Sequence, residues 1–391
     1  MNHAVIVDAV RTPSGKGKPG GALSGIHPID LLASTLEALV DRNDLDPALI
    51  EDVIGGCVTQ AGDQSGNIAH NAALAAGFPT TVPGTTVNRQ CGSSQQAASF
   101  AAQGVIAGAY DVVVACGVES MSRVPIGSSR LGSTSRGERM DARYSDLVGQ
   151  GVSAELVAHR WKISRDALDE YSAESHRRAA AAGEAGAFER EIIPIPVADG
   201  VHTADETIRS STTAEGLNGL KPSFRTPEME ARFPDLDWRI TPGNSSPLTD
   251  AASALLIMTE KRALELGLRP RARFHAFSVV GDDPLLMLTA PIPATQKVLK
   301  RAGLDIDDID AYEVNEAFAS VPLAWAQELG ADPAKLNPRG GAISLGHALG
   351  ASGARLSTTL LGHLEAIGGR YGLQTMCEAG GMANATIIER L

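Results

Sequence analysis

The apolar and polar positions of the chain follow one plan in its two halves. The segment LEALVDRNDLDPALIEDVIGGCV, from Leu36, resembles the segment TQKVLKRAGLDIDDIDAYEVNEAF, from Thr295, in its helix, its Leu-Asp turn, its acidic step and its strand. Each half then continues with a small-residue helix (CGSSQQAASFAAQGVIAGA or GASGARLSTTLLGHLEAIG) and a strand (DVVVACG or LQTMCEAG), and these strands carry Cys116 and Cys377 at corresponding points. The order of elements predicts an α/β fold of two similar halves, each with a mainly parallel or mixed sheet.

The stretch between the halves has a different character. It combines polar Ser/Arg/Gly loops, the charged helical segment SRDALDEYSAESHRRAAAAGEAGAF and Pro-rich turns. Large excursions from an α/β scaffold usually form binding lids or oligomer contacts, and a merely decorative insertion is the alternative. We therefore expect an N-terminal half over residues 1–119, an inserted loop domain over 120–247 with substrate-binding or oligomer contacts, and a C-terminal half over 248–391.

Charge and composition narrow the class of protein. The 391 residues carry a formal net charge of −12, from 34 Lys+Arg against 46 Asp+Glu, and no basic run is long enough for a nucleic-acid surface. No apolar stretch has the roughly 20 residues of a membrane-spanning helix, and the N-terminal MNHAVIVDAVR predicts a first strand instead of a signal peptide. The expectation is a cytoplasmic protein without nucleic-acid partners and without a membrane span.

The four cysteines are widely separated and show no CxxC spacing, so neither a zinc site nor a disulfide framework is expected. Cys91 stands at the start of a predicted helix, in NRQCGSSQQAA. The positive end of a helix favours a thiolate and lowers the pKa of a thiol from its usual value of about 8.5. Small residues after Cys91 let a substrate reach the sulfur. The alternative is a small buried apolar residue, and only a histidine and a second acid-base group near Cys91 would decide between them.

Candidates for those groups lie in the second half. His347 is flanked by glycines in GGAISLGHALGASGAR, a segment with the G-x4-G spacing of a phosphate loop but without its Lys-Ser/Thr, so that interpretation fails. Cys377 ends a strand before a Gly-rich turn, and Asn315 follows another strand. Both fall at carboxyl ends of strands, where α/β proteins bind their ligands. Each also has a structural alternative: the asparagine as a turn former and the cysteine as core filler.

Four ordered blocks resemble the thiolase family: Cys91-Gly92-Ser93, then NEAF over Asn315–Phe318, then GGAISLGHALGASG over Gly340–Gly353, then CEAG over Cys377–Gly380. RTPSGKG, GVESMSRVP, SRDALDEYSAESHRRA and TPGNSSPLTDAASA are also similar to the family, so the resemblance covers the whole chain. It implies a thiolase-like fold in which two βαβαβαββ halves pack as αβαβα layers, with an inserted loop domain. It also implies a homo-oligomer, either a dimer or a tetramer, with acyl-CoA and coenzyme A as substrates, no tightly bound cofactor and no metal.

The resemblance also implies roles for individual residues. Cys91 would be the nucleophile that carries the acyl group as a thioester, His347 would take its proton, and Cys377 would be the general acid/base. Asn315 with His347 would form one oxyanion site, and the backbone N–H groups of Cys91 and Ala379 would form the other. Three further positions match the family's substrate-binding residues: Ser246 at the pantetheine arm, Lys221 near the nucleotide, and Phe318 in the NEAF block.

The reaction implied is reversible cleavage of a 3-ketoacyl-CoA by coenzyme A to acetyl-CoA and a shortened acyl-CoA, or condensation of two acetyl-CoA. A catalytically silent acyl-CoA or lipid binder is the alternative, but such a protein would be expected to lose one of the three catalytic side chains. A ketoacyl synthase is disfavoured because a second acid-base cysteine would be superfluous there. Ala348 and Ala379 replace the family's Pro and Gly, and an alanine at 379 would be strained if that position needed a positive φ. These departures favour a broader or bulkier acyl substrate and leave chain length and direction open.

Overall fold

Strands and helices alternate through the part of the chain that this computed structural model describes, residues 3–391. The strands are β1 Ala4–Arg11, β2 Gly15–Lys16, β3 Asp52–Gly56, β4 Gly84–Val87, β5 Val112–Ser120, β6 Ile195–Val197, β7 Gly200–His202, β8 Thr249–Thr259, β9 Ala272–Gly281, β10 Ala311–Val314, β11 Tyr371–Glu378 and β12 Met382–Arg390. The helices are α1 Pro28–Asp41, α2 Ile68–Ala75, α3 Ser93–Ala107, α4 Glu138–Arg143, α5 Gln150–Arg160, α6 Arg165–Glu184, α7 Ala214–Asn218, α8 Pro227–Arg232, α9 Glu260–Glu265, α10 Pro291–Ala302, α11 Ser320–Leu329, α12 Ala342–Leu345 and α13 Ser352–Ile367. Short 3-10 turns lie at Pro47–Leu49, Gly62–Gln64, Ser128–Arg130, Pro242–Asn244 and Ile306–Asp308.

The two predicted halves each contribute a mixed sheet. The first sheet has the order β4-β3-β5-β8-β1, in which β8 comes from the chain after the insertion, and the second sheet has the order β9-β12-β11-β10. Pairing is parallel between β3 and its neighbours β4 and β5 and between β10 and β11, and it is antiparallel elsewhere along these sheets. The sheets join through a two-residue contact of β1 with β9, so they form one continuous strand order. The predicted α/β class of two similar halves is confirmed.

Helices α3 and α13 lie between the two halves and pack against both. Ala97 and Ala101 of α3 share one core with Leu360 of α13, with Val113 of the first sheet and with Ile388 of the second. Small alanine side chains let a helix approach its neighbours closely, which a layer covered on both faces requires. Helices α1 and α2 cover the outer face of the first sheet, and α10 covers the outer face of the second. The helices and sheets therefore alternate as the predicted αβαβα layers.

The inserted region contains α4 to α8 and the β6–β7 hairpin. It is tied to β1 through Arg11, whose guanidinium lies 2.8 Å from Glu191 and 2.7 Å from Asp205. All three side chains are buried, and breaking such a pair by removing one partner typically costs about 3–5 kcal/mol. The division into 1–119, 120–247 and 248–391 stays a prediction, and β8, which follows the insertion, pairs with β1 and β5 of the first sheet.

Across residues 3–391, no helix is long and apolar enough to cross a membrane.

Candidate active site

Cys91 lies in a tight turn immediately before α3. Gln90 adopts a left-handed backbone conformation with φ 49°, and Gly92 is the N-cap residue of the helix. The Ser93 hydroxyl closes the turn because it donates to the Gln90 carbonyl at 2.6 Å and accepts from the Arg89 N–H at 2.9 Å. The sulfur is held at the N-terminal end of α3, as the sequence predicts, although Cys91 is only 5% exposed.

The Cys91 thiol is not ionised in advance. Burial raises its pKa to about 12, and the nearby Glu378 carboxylate acts in the same direction, whereas a backbone N–H lowers the pKa. The sequence-based expectation of a lowered pKa is therefore wrong. The physical reason is that loss of water around a buried thiolate outweighs the favourable end of the helix.

His347 is buried in the loop between α12 and α13 and is oriented by Ser352. Its Nδ1 lies 2.7 Å from the Ser352 hydroxyl oxygen, and that hydroxyl donates to the Ala348 carbonyl at 2.8 Å. Since the hydroxyl has one hydrogen, its oxygen accepts the hydrogen bond from Nδ1–H. This arrangement places the ring proton on Nδ1 and leaves the lone pair of Nε2 free to accept a proton.

Asn315 completes this polar cluster. It follows β10, is buried, and its amide Nδ2 lies 3.4 Å from His347 Nε2. Within the described residues, its Oδ1 has no hydrogen-bond partner. Burial lowers the pKa of His347 to about 3, and the positive charge of Arg355 contributes to the same shift. The imidazole is therefore neutral near pH 7, as a general base must be before it takes a proton.

Cys377 reaches the site from β11, near its carboxyl end. Its side chain is fully buried in a cluster that includes Phe318 and Ile343. Burial raises the pKa of the Cys377 thiol well above its usual value, and the nearness of Cys91 raises it further. Two sulfurs of distant sequence position are thus brought into one buried environment.

The His347 loop packs directly on the start of α3. The backbone N–H of Ala354 donates to the Ser94 hydroxyl at 3.0 Å. Gly353 has no room for a side chain, because a Cβ there would lie 2.1 Å from the Gln95 nitrogen. Leu349 packs against the apolar cluster that contains Cys91. The glycines and small residues of the GASGAR segment are therefore required where the two halves meet.

The remaining predicted residues occupy different surroundings. Ser246 donates from its hydroxyl to the Ala317 carbonyl at 3.1 Å, next to the NEAF block, and the Phe318 ring packs edge-to-face on Phe224 with centroids 6.0 Å apart. Lys221 is exposed on the insertion, outside the buried cluster. Ala379 follows β11 and is not strained, since the positive φ angles of this turn fall on the next two residues, both glycines.

Buried acidic residues anchor the active-site loops, and the sequence reasoning did not single them out. Glu119, at the end of β5, accepts hydrogen bonds from the Gly350 N–H at 2.9 Å and from Val58, Thr59 and Gln64. Glu316, next to Asn315, accepts from Tyr171, Ser175, Asn337 and the N–H of Ile343. The sequence did offer a signal for these residues: each is an acidic residue within an apolar strand or a motif, and a buried charge there needs hydrogen-bond donors. No group of three His, Cys, Asp or Glu residues in the described part of the chain is placed to hold a metal ion.

The chain is similar to known proteins over its whole length. The chain matches the model of the thiolase N-terminal domain over residues 4–261 and that of the thiolase C-terminal domain over residues 268–390. It belongs to the thiolase family. It is 51% identical to the steroid 3-ketoacyl-CoA thiolase FadA6 of Mycobacterium tuberculosis, covering 100% of this chain and 95% of the relative.

Two further proteins are similar over the full length. The 3-ketoacyl-CoA thiolase of Photobacterium profundum is 44% identical, with 100% of both chains covered. The crystal structure of the Bacillus anthracis acetyl-CoA acetyltransferase superposes with a TM-score of 0.88 at 38% identity, covering 100% of this chain and 99% of that one. The chain is therefore an acyltransferase, which disfavours the silent binding protein considered above.

Proposed function

We propose that the protein cleaves 3-ketoacyl-CoA with coenzyme A through an acyl thioester on Cys91. The observations that support this proposal are the contact of His347 with Asn315, the packing of the His347 loop against the start of α3 and the Cys91 cluster, and the effect of the Cys91 charge on Cys377. Carbon–carbon cleavage needs a nucleophile at the ketone, a proton donor for the departing carbanion and donors for the negative oxygens, and these residues supply all three.

In the first half-reaction, the Cys91 proton passes to His347 Nε2 while the sulfur attacks the ketone carbon. The bond between the α and β carbons then breaks, the acyl group stays on Cys91, and the electron pair becomes the enolate of acetyl-CoA. Cys377 gives its proton to the α carbon. Asn315 and the backbone N–H groups of Cys91 and Ala379 are the proposed oxyanion donors, each typically worth about 3 kcal/mol in a transition state.

In the second half-reaction, coenzyme A attacks the acyl thioester and its thiol proton restores Cys377. The Cys91 thiolate leaves and recovers its proton from His347, so the enzyme returns to its starting state. With the pKa of Cys91 raised to about 12 and that of His347 lowered to about 3, proton transfer from Cys91 to His347 is uphill by itself. We infer that the transfer accompanies attack on the ketone, because bond formation removes the cost of a buried thiolate.

We also propose that the acyl substrate is bulky and that the chain works as a homodimer or tetramer in the cytoplasm. The replacements Ala348 and Ala379 and the word steroid in the name of one relative support the first point. Strand β4 ends the strand order of the first sheet, and a free edge of this kind is suited to pairing with a second copy. The cytoplasmic location rests on the sequence alone.

A substrate series tests the reaction and the acyl preference together. We expect thiolysis in the presence of coenzyme A for acetoacetyl-CoA, for a long straight-chain 3-ketoacyl-CoA and for a ring-bearing one, with the largest kcat/KM for the ring-bearing substrate. The assay follows loss of the 3-ketoacyl thioester and appearance of acetyl-CoA. Cleavage restricted to acetoacetyl-CoA would contradict the bulky preference, and no cleavage of any substrate would contradict the proposed reaction.

Replacement of Ser352 by alanine tests whether Ser352 orients His347, the proposed general base. Without the hydroxyl, the Nδ1–H of His347 loses its acceptor, so the tautomer with a free Nε2 is no longer fixed. We expect kcat/KM for thiolysis to fall about 10-fold to 100-fold, as for other residues that orient a reacting group. Ser357→Ala is the matched control, since Ser357 is buried on the same helix and its hydroxyl donates to Gln374 Oε1 at 2.6 Å. Equal kcat/KM in the two variants would remove Ser352 from this role.

A further inference from the structure

A buried carboxyl group lies beside the two thiols without a hydrogen-bond partner. Glu378 follows Cys377 at the end of β11, and its side chain is fully buried. Neither of its carboxyl oxygens has a donor among the residues that the structure describes. Two other buried carboxylates of the site, Glu119 and Glu316, each accept several hydrogen bonds. Glu378 is therefore the exception among these acids, and it is unused in the mechanism above.

The position of Glu378 is set by the start of α3. A Cβ added to Gly92 would lie 2.1 Å from Glu378 Oε1 and 2.9 Å from Asn384 Nδ2, so both side chains press on this glycine. Asn384 donates to the Gly92 carbonyl at 3.2 Å, and its own Oδ1 also has no partner within residues 3–391. Met376 pairs with Asn384 across the two strands, and Glu378, two residues further on, projects from the same face. The carboxyl thus abuts the backbone that carries Cys91.

The charged and titratable groups around this point are few. Arg89, on the segment before α3, favours the ionised form of Glu378, but burial has the larger effect and raises the pKa of its carboxyl to about 8. The negative charge of Glu378 in turn raises the pKa of both thiols, Cys91 and Cys377, and Glu119 adds to the shift of Cys91. A carboxylate and a thiolate so close together in a dry site disfavour each other.

We propose that Glu378 is a positioning residue that acts through Cys91: a proton on Glu378 removes the opposing charge beside the turn and eases formation of the Cys91 thiolate, whereas ionised Glu378 keeps Cys91 protonated. The proposal rests on the proposed function only in naming Cys91 as the nucleophile. As an acid, Glu378 fills the space beside Gly92 without adding charge. As an anion, it opposes formation of the nucleophile, so the reactivity of Cys91 depends on the protonation of this neighbour.

The test compares alkylation of Cys91 by iodoacetamide as a function of pH in the wild-type chain and in Glu378→Gln. Glutamine keeps the size of the neutral acid and cannot ionise. We expect the midpoint of Cys91 alkylation, followed by the mass of its peptide, to move to lower pH by about one unit in this variant, because a like charge has been removed. Glu389→Gln is the control, since it removes a buried carboxyl at the far end of β12 and should leave the midpoint unchanged.

A second measurement reports the proton on Glu378 directly. A carboxyl whose pKa is raised from 4.5 to about 8 on folding contributes stability that is present below pH 4.5 and lost as the pH rises through about 8. The Tm of Glu378→Gln relative to wild type should therefore increase across this window, whereas that of Glu389→Gln should not.

Identical alkylation midpoints in wild type and Glu378→Gln would overturn the proposal. If the variant does not fold, the pH profile of Cys91 alkylation in the wild-type chain tests the proposal. Coupled titration of Cys91 and Glu378 gives a broader curve than titration of one group, so a single-group curve would contradict the proposal. Alkylation needs no substrate. Absence of thiolysis would thus contradict the proposed function alone, and an unchanged midpoint would contradict only the role of Glu378.

Discussion

Replacing Cys91 by alanine is expected to abolish acyl transfer. The proposed reaction passes through a thioester on this sulfur, and Cys91 carries the only thiol in the segment Asn88–Ser93 before and at the start of α3. Loss of a covalent nucleophile typically reduces kcat by about 10⁴-fold or more. The measurement is thiolysis of a 3-ketoacyl-CoA, together with the mass of the protein after incubation with an acyl-CoA. Wild type should gain one acyl group on the Cys91 peptide, and the variant should gain none.

Cys116→Ala is the matched control for this experiment. Cys116 is a fully buried cysteine on β5 and packs in the outer core of the first half. Its loss should cost about 1 kcal/mol of stability and leave the acyl transfer intact. An acyl group recovered on the Cys116 peptide would reassign the nucleophile, and full activity in Cys91→Ala would end the thioester mechanism.

The fold could be predicted from the sequence because its repeat is local. The helix, turn and strand that begin at Leu36 and at Thr295 became α1 with β3 and α10 with β10, each set by apolar spacing within one short segment. The central helices α3 and α13 were also visible, since their small residues suit a layer that is packed on both sides. The contact of β1 with β9 could not be predicted, because it depends on how the two sheets meet and leaves no periodic signal.

The sequence predicted which residues form the candidate site better than it predicted their pKa shifts. Glycines and serines beside Cys91 and His347 mark places of close approach, which are present at Gly92, against the Glu378 and Asn384 side chains, and at Gly353, against the Gln95 backbone. The predicted direction of the Cys91 pKa shift was wrong. The sequence shows where the helix begins, but it does not show how deeply Cys91 is buried or that β11 places Glu378 near it. The effect of Ser352 on the tautomer likewise depends on hydroxyl geometry within a loop.

The buried acids show how one residue type takes different roles in this site. Glu119 and Glu316 accept backbone and side-chain hydrogen bonds and so fix the loops around His347, whereas Glu378 has no hydrogen-bond donor among the residues that the structure describes. Burial raises the pKa of both Glu119 and Glu378, and the hydrogen bonds that Glu119 accepts oppose this shift. Glutamates near strand ends therefore have two roles in this site: Glu119 and Glu316 hold the loops, and Glu378 is proposed to control the ionisation of Cys91.

Replacing Cys377 by alanine is expected to separate acylation from carbanion chemistry. The variant should still form the acyl thioester on Cys91 from an acyl-CoA, because that step uses His347 and the oxyanion donors. It should lose exchange of the α protons of acetyl-CoA into deuterated water by about 10²-fold to 10⁴-fold, the usual contribution of a positioned acid-base group. Exchange is measured by the mass of recovered acetyl-CoA.

Cys377→Ser distinguishes acid-base chemistry from packing at this position. Serine restores most of the volume that alanine removes from the cluster around Phe318, but its hydroxyl is a far weaker acid than a thiol. If Cys377 transfers the proton, both variants should lose exchange while keeping acylation. If Cys377 only fills space, serine should recover most of the exchange rate, and unimpaired exchange in Cys377→Ala would exclude Cys377 as the base.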